Sequence, residues 1–153
     1  MGSIQNYFEI FKIKPSFDIQ PTILQSKYHE LCKKYHPDIS SDFDIKDGDL
    51  NIAIINNAYK TLLNDYKRAI YLYKLNGNHL NKNLSTDFLN EILFTNETID
   101  MTTNIDVLNK LKEITVLKIN ECKNKYNDSN SLIKWKYYDR MLKNISNKIE
   151  MLM

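Results

Sequence analysis

A chain of 153 residues with 42% hydrophobic and 26% charged side chains is long enough to bury a core without staples, as one large domain or two small ones. Its 21 lysines and arginines against 19 carboxylates leave a formal charge of only +2, which argues against nucleic acid as a ligand and confines electrostatic recognition to local patches. No apolar run approaches a membrane span, and the N-terminus lacks a signal-peptide or Arg-rich transit pattern.

Tyr7-Phe8-Glu9-Ile10-Phe11 reads as a first helical turn or two that fills core, closed by Lys14-Pro15. Met1-Gly2-Ser3 does not make a myristoylation signal, because Asn6 stands where Ser or Thr is needed. Pro21 opens the next helix in a first-turn position, where its missing N–H costs nothing. Leu24, Tyr28, Leu31 and Tyr35 then recur at i, i+4, i+7 and i+11, the stripe of a helix packed on one face, with Lys27, His29, Lys33 and Lys34 on the others. Pro37 disfavours helical geometry at His36, so the helix should stop at about Tyr35 or His36 and leave His36-Pro37-Asp38 at its end, beside a basic face.

The following loop, 39–49, carries Asp42, Asp44, Asp47 and Asp49. An EF-hand frame opened at Asp42 fails at Lys46, Asp47 and Ala53, so the loop reads as solvated and metal-free. From Leu50 the stripe Ile52, Ile55, Tyr59, Leu62, Tyr66 defines a third helix, weakened locally at Asn64-Asp65 and helical in pattern until Asn76-Gly77-Asn78. That Asn/Gly cluster marks a boundary, with 77–85 as linker.

Three helical patterns follow, over about 86–97, 104–126 and 130–152. In the last, Trp135, Tyr138, Leu142, Ile145, Ile149 and Leu152 form a continuous stripe that asks for a helical partner; in the middle one Leu108, Leu111, Ile114 and Leu117 give a broader face. A small antiparallel bundle would bury both. No alternating strand-like run occurs, so the class is all-α, and the Asn, Lys and Ile bias throughout reads as coding bias.

Cys32 and Cys122 form neither a C-x-x-C nor a Cys/His metal spacing, so two buried thiols in a reduced compartment are expected. His36 with Asp38, or Cys32 with His36, would need a positioned third group, an oxyanion site and a pocket to act catalytically. The sequence offers none, and only three glycines, so no catalytic residue is assigned.

The run Tyr28-His29-Glu30-Leu31-Cys32-Lys33-Lys34-Tyr35-His36-Pro37-Asp38 resembles the second helix and signature tripeptide of the J domain of DnaJ-type co-chaperones, and Ile55-Asn56-Asn57-Ala58-Tyr59-Lys60-Thr61-Leu62 resembles its third helix. The opening, Asn6 to Phe11 and Pro15 to Ile19, and the segment Arg68-Ala69-Ile70-Tyr71-Leu72 with Leu75-Asn76-Gly77, resemble HscB-type J proteins in particular. The resemblance implies a J domain over 4–76, an antiparallel helical hairpin, packed on a C-terminal three-helix domain over 86–153.

It further implies a co-chaperone that stimulates an HscA-type heat-shock ATPase through His36, Pro37, Asp38, Lys27, Lys33 and Lys34. It implies delivery of an IscU-type iron–sulfur scaffold on Leu89, Leu93, Phe94, Glu97, Lys136 and Tyr137. Asn90 and Phe94 depart from the family pattern, which has an apolar and an acidic residue there, so the patch is expected to be rearranged. Cluster and ATP belong to the partners, so no cofactor, metal, membrane or nucleic acid is expected, in a bacterial cytoplasm or alternatively a mitochondrial matrix. A J protein with another client is one alternative, and an all-α structural or nucleic-acid adaptor with an accidental His-Pro-Asp is another.

Overall fold

Short polar side chains at the chain's breaks decide where its helices begin. In the computed structural model, which describes residues 6–35 and 50–153, the side chain of Asn6 accepts the Glu9 N–H and opens α1 (Tyr7–Ile10). Asn51 does the same through Ile54 for α3 (Ile52–Leu63), and Asn64 through Lys67 for α4 (Asp65–Leu75). Ser85, Asn104 and Asp128 cap α5 (Thr86–Met101), α6 (Ile105–Asn124) and α7 (Ser129–Leu152). Each satisfies a backbone donor that the first helical turn leaves orphaned. The remaining helix, α2 (Pro21–Tyr35), starts on proline. No strand occurs among the described residues. His36, Pro37 and Asp38, the aspartate-rich loop and Met1-Gly2-Ser3 lie outside them.

The chain divides into two compact units, residues 1–77 and 78–153. The core of the first gathers Phe8 and Phe11 around α1, Leu24 and Tyr35 from α2, Ile55, Ala58 and Leu62 from α3, and Ala69 and Leu72 from α4. Aromatic pairs fasten these elements. Tyr28 of α2 stacks on Tyr59 of α3 at 3.9 Å and donates its hydroxyl to Asn56 at 2.6 Å, while Tyr7 stacks on Tyr71 and gives it a backbone N–H at 2.8 Å. The third helix of the sequence reading is two helices. Asn64 adopts an extended backbone (φ −86°, ψ 123°) and its side chain starts α4, a local bond that competes with continuing α3.

The second unit packs α7 against α6 and α5. Trp135, Tyr138 and Ile145 are buried as their spacing requires, together with Leu132 and Met141. Two expectations are corrected here. Helix α5 runs one turn beyond residue 97 because Ile99, almost fully buried, draws that turn into the core. In α6 the buried line is Leu108, Thr115, Ile119 and Cys122, whereas Ile114 and Leu117 are 40% and 63% exposed. Thr115 tolerates burial because its hydroxyl donates to the Leu111 carbonyl at 2.7 Å.

Candidate functional site

In the first unit the basic residues sit along α2. Lys33 and Lys34 in its last turn are exposed, with the Lys34 ammonium 5.4 Å from the Tyr35 ring centroid, and cations there complement the negative end of the helix dipole. Lys27 differs: half-buried, it donates to the Lys12 carbonyl at 3.2 Å and helps line a 140 Å³ cleft with Phe11, Glu30 and Leu31. Lys12 reaches that position with φ +53°, a left-handed turn that closes α1. Cys32, expected to be buried, is half-buried. A hydrogen bond with Cys32, and then burial, raise the Tyr28 phenol above its ordinary value, so Tyr28 is a neutral donor to Asn56.

In the second unit α5 turns Phe88, Ile92 and Ile99 inward. That leaves Leu89 at 41%, Leu93 at 59% and Phe94 at 71% exposure on its outer side, three large apolar residues whose solvation is unfavourable. Leu89, Leu93 and Glu97 follow one i, i+4, i+8 line, and Phe94 lies about 100° round the helix from Leu93. Tyr137 of α7 is half-buried, its ring edge-on to Phe88 at 5.8 Å and 89°, and so has a packing role beside any recognition role. Its neighbour Tyr138, also edge-on to Phe88, is pushed up to about 12 by burial and stays un-ionised. Lys136 is exposed. An ion pair between Glu91 and Lys118 ties α5 to α6. Met101, exposed and one helical turn beyond Glu97, was missed in the sequence, where it fell past the expected helix end. Among the described residues no three His, Cys, Asp or Glu side chains are grouped to hold a metal ion, and no helix is long and apolar enough to cross a membrane.

Residues 6–71 match the DnaJ domain family model, a span that includes α1 to α3, most of α4 and the His36-Pro37-Asp38 tripeptide. The fold is therefore all-α in two helical units, the first of which is similar to a DnaJ domain over residues 6–71. The chain is similar to proteins described as HscB co-chaperones. A co-chaperone HscB homologue of Neisseria meningitidis is 37% identical over 93 residues, 59% of this chain and 56% of that relative, so the chain spans about half the length of the curated relatives it matches. The structure of chaperone HscB from Vibrio cholerae has the same fold, with a TM-score of 0.80 over 97% of this chain and all of that one, at 22% identity. The crystal structure of human co-chaperone protein HscB gives a TM-score of 0.80 over 94% of this chain and 82% of that one, at 25% identity.

Proposed function

We propose that this chain is a co-chaperone that stimulates ATP hydrolysis by an HscA-type heat-shock ATPase and delivers an IscU-type iron–sulfur scaffold to it, in a bacterial cytoplasm. The observation that carries this reading is the joining, in one chain similar to HscB, of a DnaJ domain with a helical unit that exposes Leu89 and Leu93 from one side of α5. In this reading Lys33 and Lys34, with Lys27, form the basic face that meets an acidic chaperone surface and bring His36-Pro37-Asp38 to it. The scaffold docks on Leu89, Leu93, Phe94 and Glu97, with Lys136 and Tyr137 at the flank. The chain itself turns over no substrate and holds no cofactor.

A single-turnover ATPase assay with an HscA-type chaperone tests the first half. His36→Gln or Asp38→Asn should abolish stimulation with an unchanged circular dichroism spectrum, and stimulation at wild-type rates would refute it. Titration with the scaffold tests the second half. Stimulation by a chain that does not bind the scaffold would leave a J protein with a different client.

A further inference from the structure

Helix α6 packs one side on α7, along Leu108, Thr115, Ile119 and Cys122. At 100° per residue its far side runs through Lys110, Ile114, Leu117 and Glu121, spaced i, i+4, i+7 and i+11. That is the alternating four-and-three spacing with which one helix lies along another. All four side chains are exposed, Ile114 at 40% and Leu117 at 63%. The line therefore holds two large apolar residues in water at its middle, a lysine at one end and a glutamate at the other. Lys110 and Glu121 stand about 16 Å apart along the helix, too far to pair with each other. Neither forms an ion pair with any other side chain among the described residues.

We propose that this line is a self-complementary docking surface, on which α6 of a second copy lies antiparallel about a twofold axis between residues 115 and 116. Turning the line end for end sets Lys110 on Glu121 of the second copy, Ile114 on its Leu117, and the reverse of each. Two isoleucines and two leucines then cluster at the axis, with an ion pair closing each end. The flanks bring no like charges together: Glu113 comes opposite Asn120, and Lys118 opposite half-buried Leu111, over which its methylenes lie. Lys118 keeps Glu91 of its own chain. Other arrangements of the same face are penalised. A parallel pair sets Lys110 on Lys110 and Glu121 on Glu121, and an antiparallel pair slipped by one heptad sets Lys110 on Ile114 or Glu121 on Leu117. This charge complementarity selects a second copy of the chain as the occupant. A single helix pair is a small interface with exposed ends, so the dimer belongs to the weak, reversible class and loosens as salt screens its two ion pairs. The surface lies on a different helix from Leu89 and Leu93 and needs no scaffold.

Sedimentation equilibrium of the full chain from micromolar to submillimolar concentration is the test. The wild-type chain should show a monomer–dimer equilibrium that weakens with salt, and a chain that stays monomeric throughout would overturn the proposal. Lys110→Glu alone and Glu121→Lys alone each place like charges at both ends and should weaken association at least about tenfold at low salt. Mixing the two variants should restore it, because each then meets its opposite charge in the other. Association of the single variants at wild-type strength, or no recovery on mixing, would overturn the proposal. So would association that survives Ile114→Ser with Leu117→Ser and is lost in Leu89→Ala with Leu93→Ala, which would place the self-contact on α5. Should the variants fail to fold, the wild-type chain still decides. In a sample mixed from two differently labelled batches, NMR cross-peaks between copies should join Ile114 to Leu117, and their absence from a sample that sediments as a dimer would overturn the proposal.

Discussion

Arg68 is the buried charge on which the end of the first unit closes. Its Nε donates to the Phe17 carbonyl and Nη1 to the Leu62 carbonyl, each at 2.7 Å, Nη2 meets Asp65 at 2.9 Å, and the guanidinium lies 4.8 Å from the Phe17 ring centroid. Asp65 is half exposed, so the two carbonyls and the ring carry most of the compensation. Arg68→Met should therefore cost about 2–4 kcal/mol in urea unfolding, because it strands two acceptors, whereas Asp65→Asn should cost less than about 1 kcal/mol. A lysine would not substitute, having no planar fork to reach three acceptors. Cys122 is a second residue whose surroundings set its chemistry. Burial pushes its thiol up to about 11 from an ordinary 9.0. Above about pH 9 the unfolded chain loses this proton while the folded chain keeps it, so stability should fall as pH rises from about 9 to 11, by at most about 1.4 kcal/mol per pH unit for one proton. Tyr138, raised in the same direction, extends the decline to higher pH. Urea melts across pH 8–11 check the slope, and in Cys122→Ala it should be shallower over the lower part of that window.

At the scale of elements, asparagine does more than a coding bias would require. Asn6, Asn51, Asn64 and Asn104 each begin a helix with a side-chain bond to a first-turn N–H. Asn64 also separates α3 from α4, which the apolar stripe through Leu62 and Tyr66 had run together. Asn64→Ala should lower stability by about 1 kcal/mol in thermal or urea unfolding, and Asn64→Asp should retain most of it, since aspartate caps equally well. On α5 the double variant Leu89→Ala, Leu93→Ala should change stability by less than about 1 kcal/mol, because both side chains are largely in water, against the ~2–5 kcal/mol of a buried leucine. Tyr137→Ala should cost more than either, through its edge-on contact with buried Phe88.

At the scale of the molecule, the two units have separate cores, one on Phe8, Ile55 and Leu62, the other on Leu108, Leu132, Trp135 and Ile145. The two proposed activities should therefore be separable by mutation: His36→Gln should lose ATPase stimulation and keep scaffold affinity, and the leucine pair the reverse, both read on the full chain. The sequence by itself determined the helical class, the stripe of α7 and the stop at Asn76-Gly77, where Gly77 takes φ +86°. In each of these a local rule decides: one apolar period, or one residue tolerant of positive φ. It also carried the J-domain likeness, written in contiguous residues from Tyr28 to Asp38. Tertiary structure alone decided the inner face of α6. Val107, Leu108, Leu111, Ile114, Val116, Leu117 and Ile119 surround most of that helix, so its periodicity admits several faces. Packing against α7 selected the line through Thr115 and Cys122, whose polar atoms a neighbouring carbonyl and burial render harmless, and left Ile114 and Leu117 exposed. The same packing placed Phe88, Ile92 and Ile99 inward on α5 and thereby turned Leu89, Leu93, Phe94 and Met101 outward, because a helix with apolar residues on two sides can bury only the side its neighbours cover.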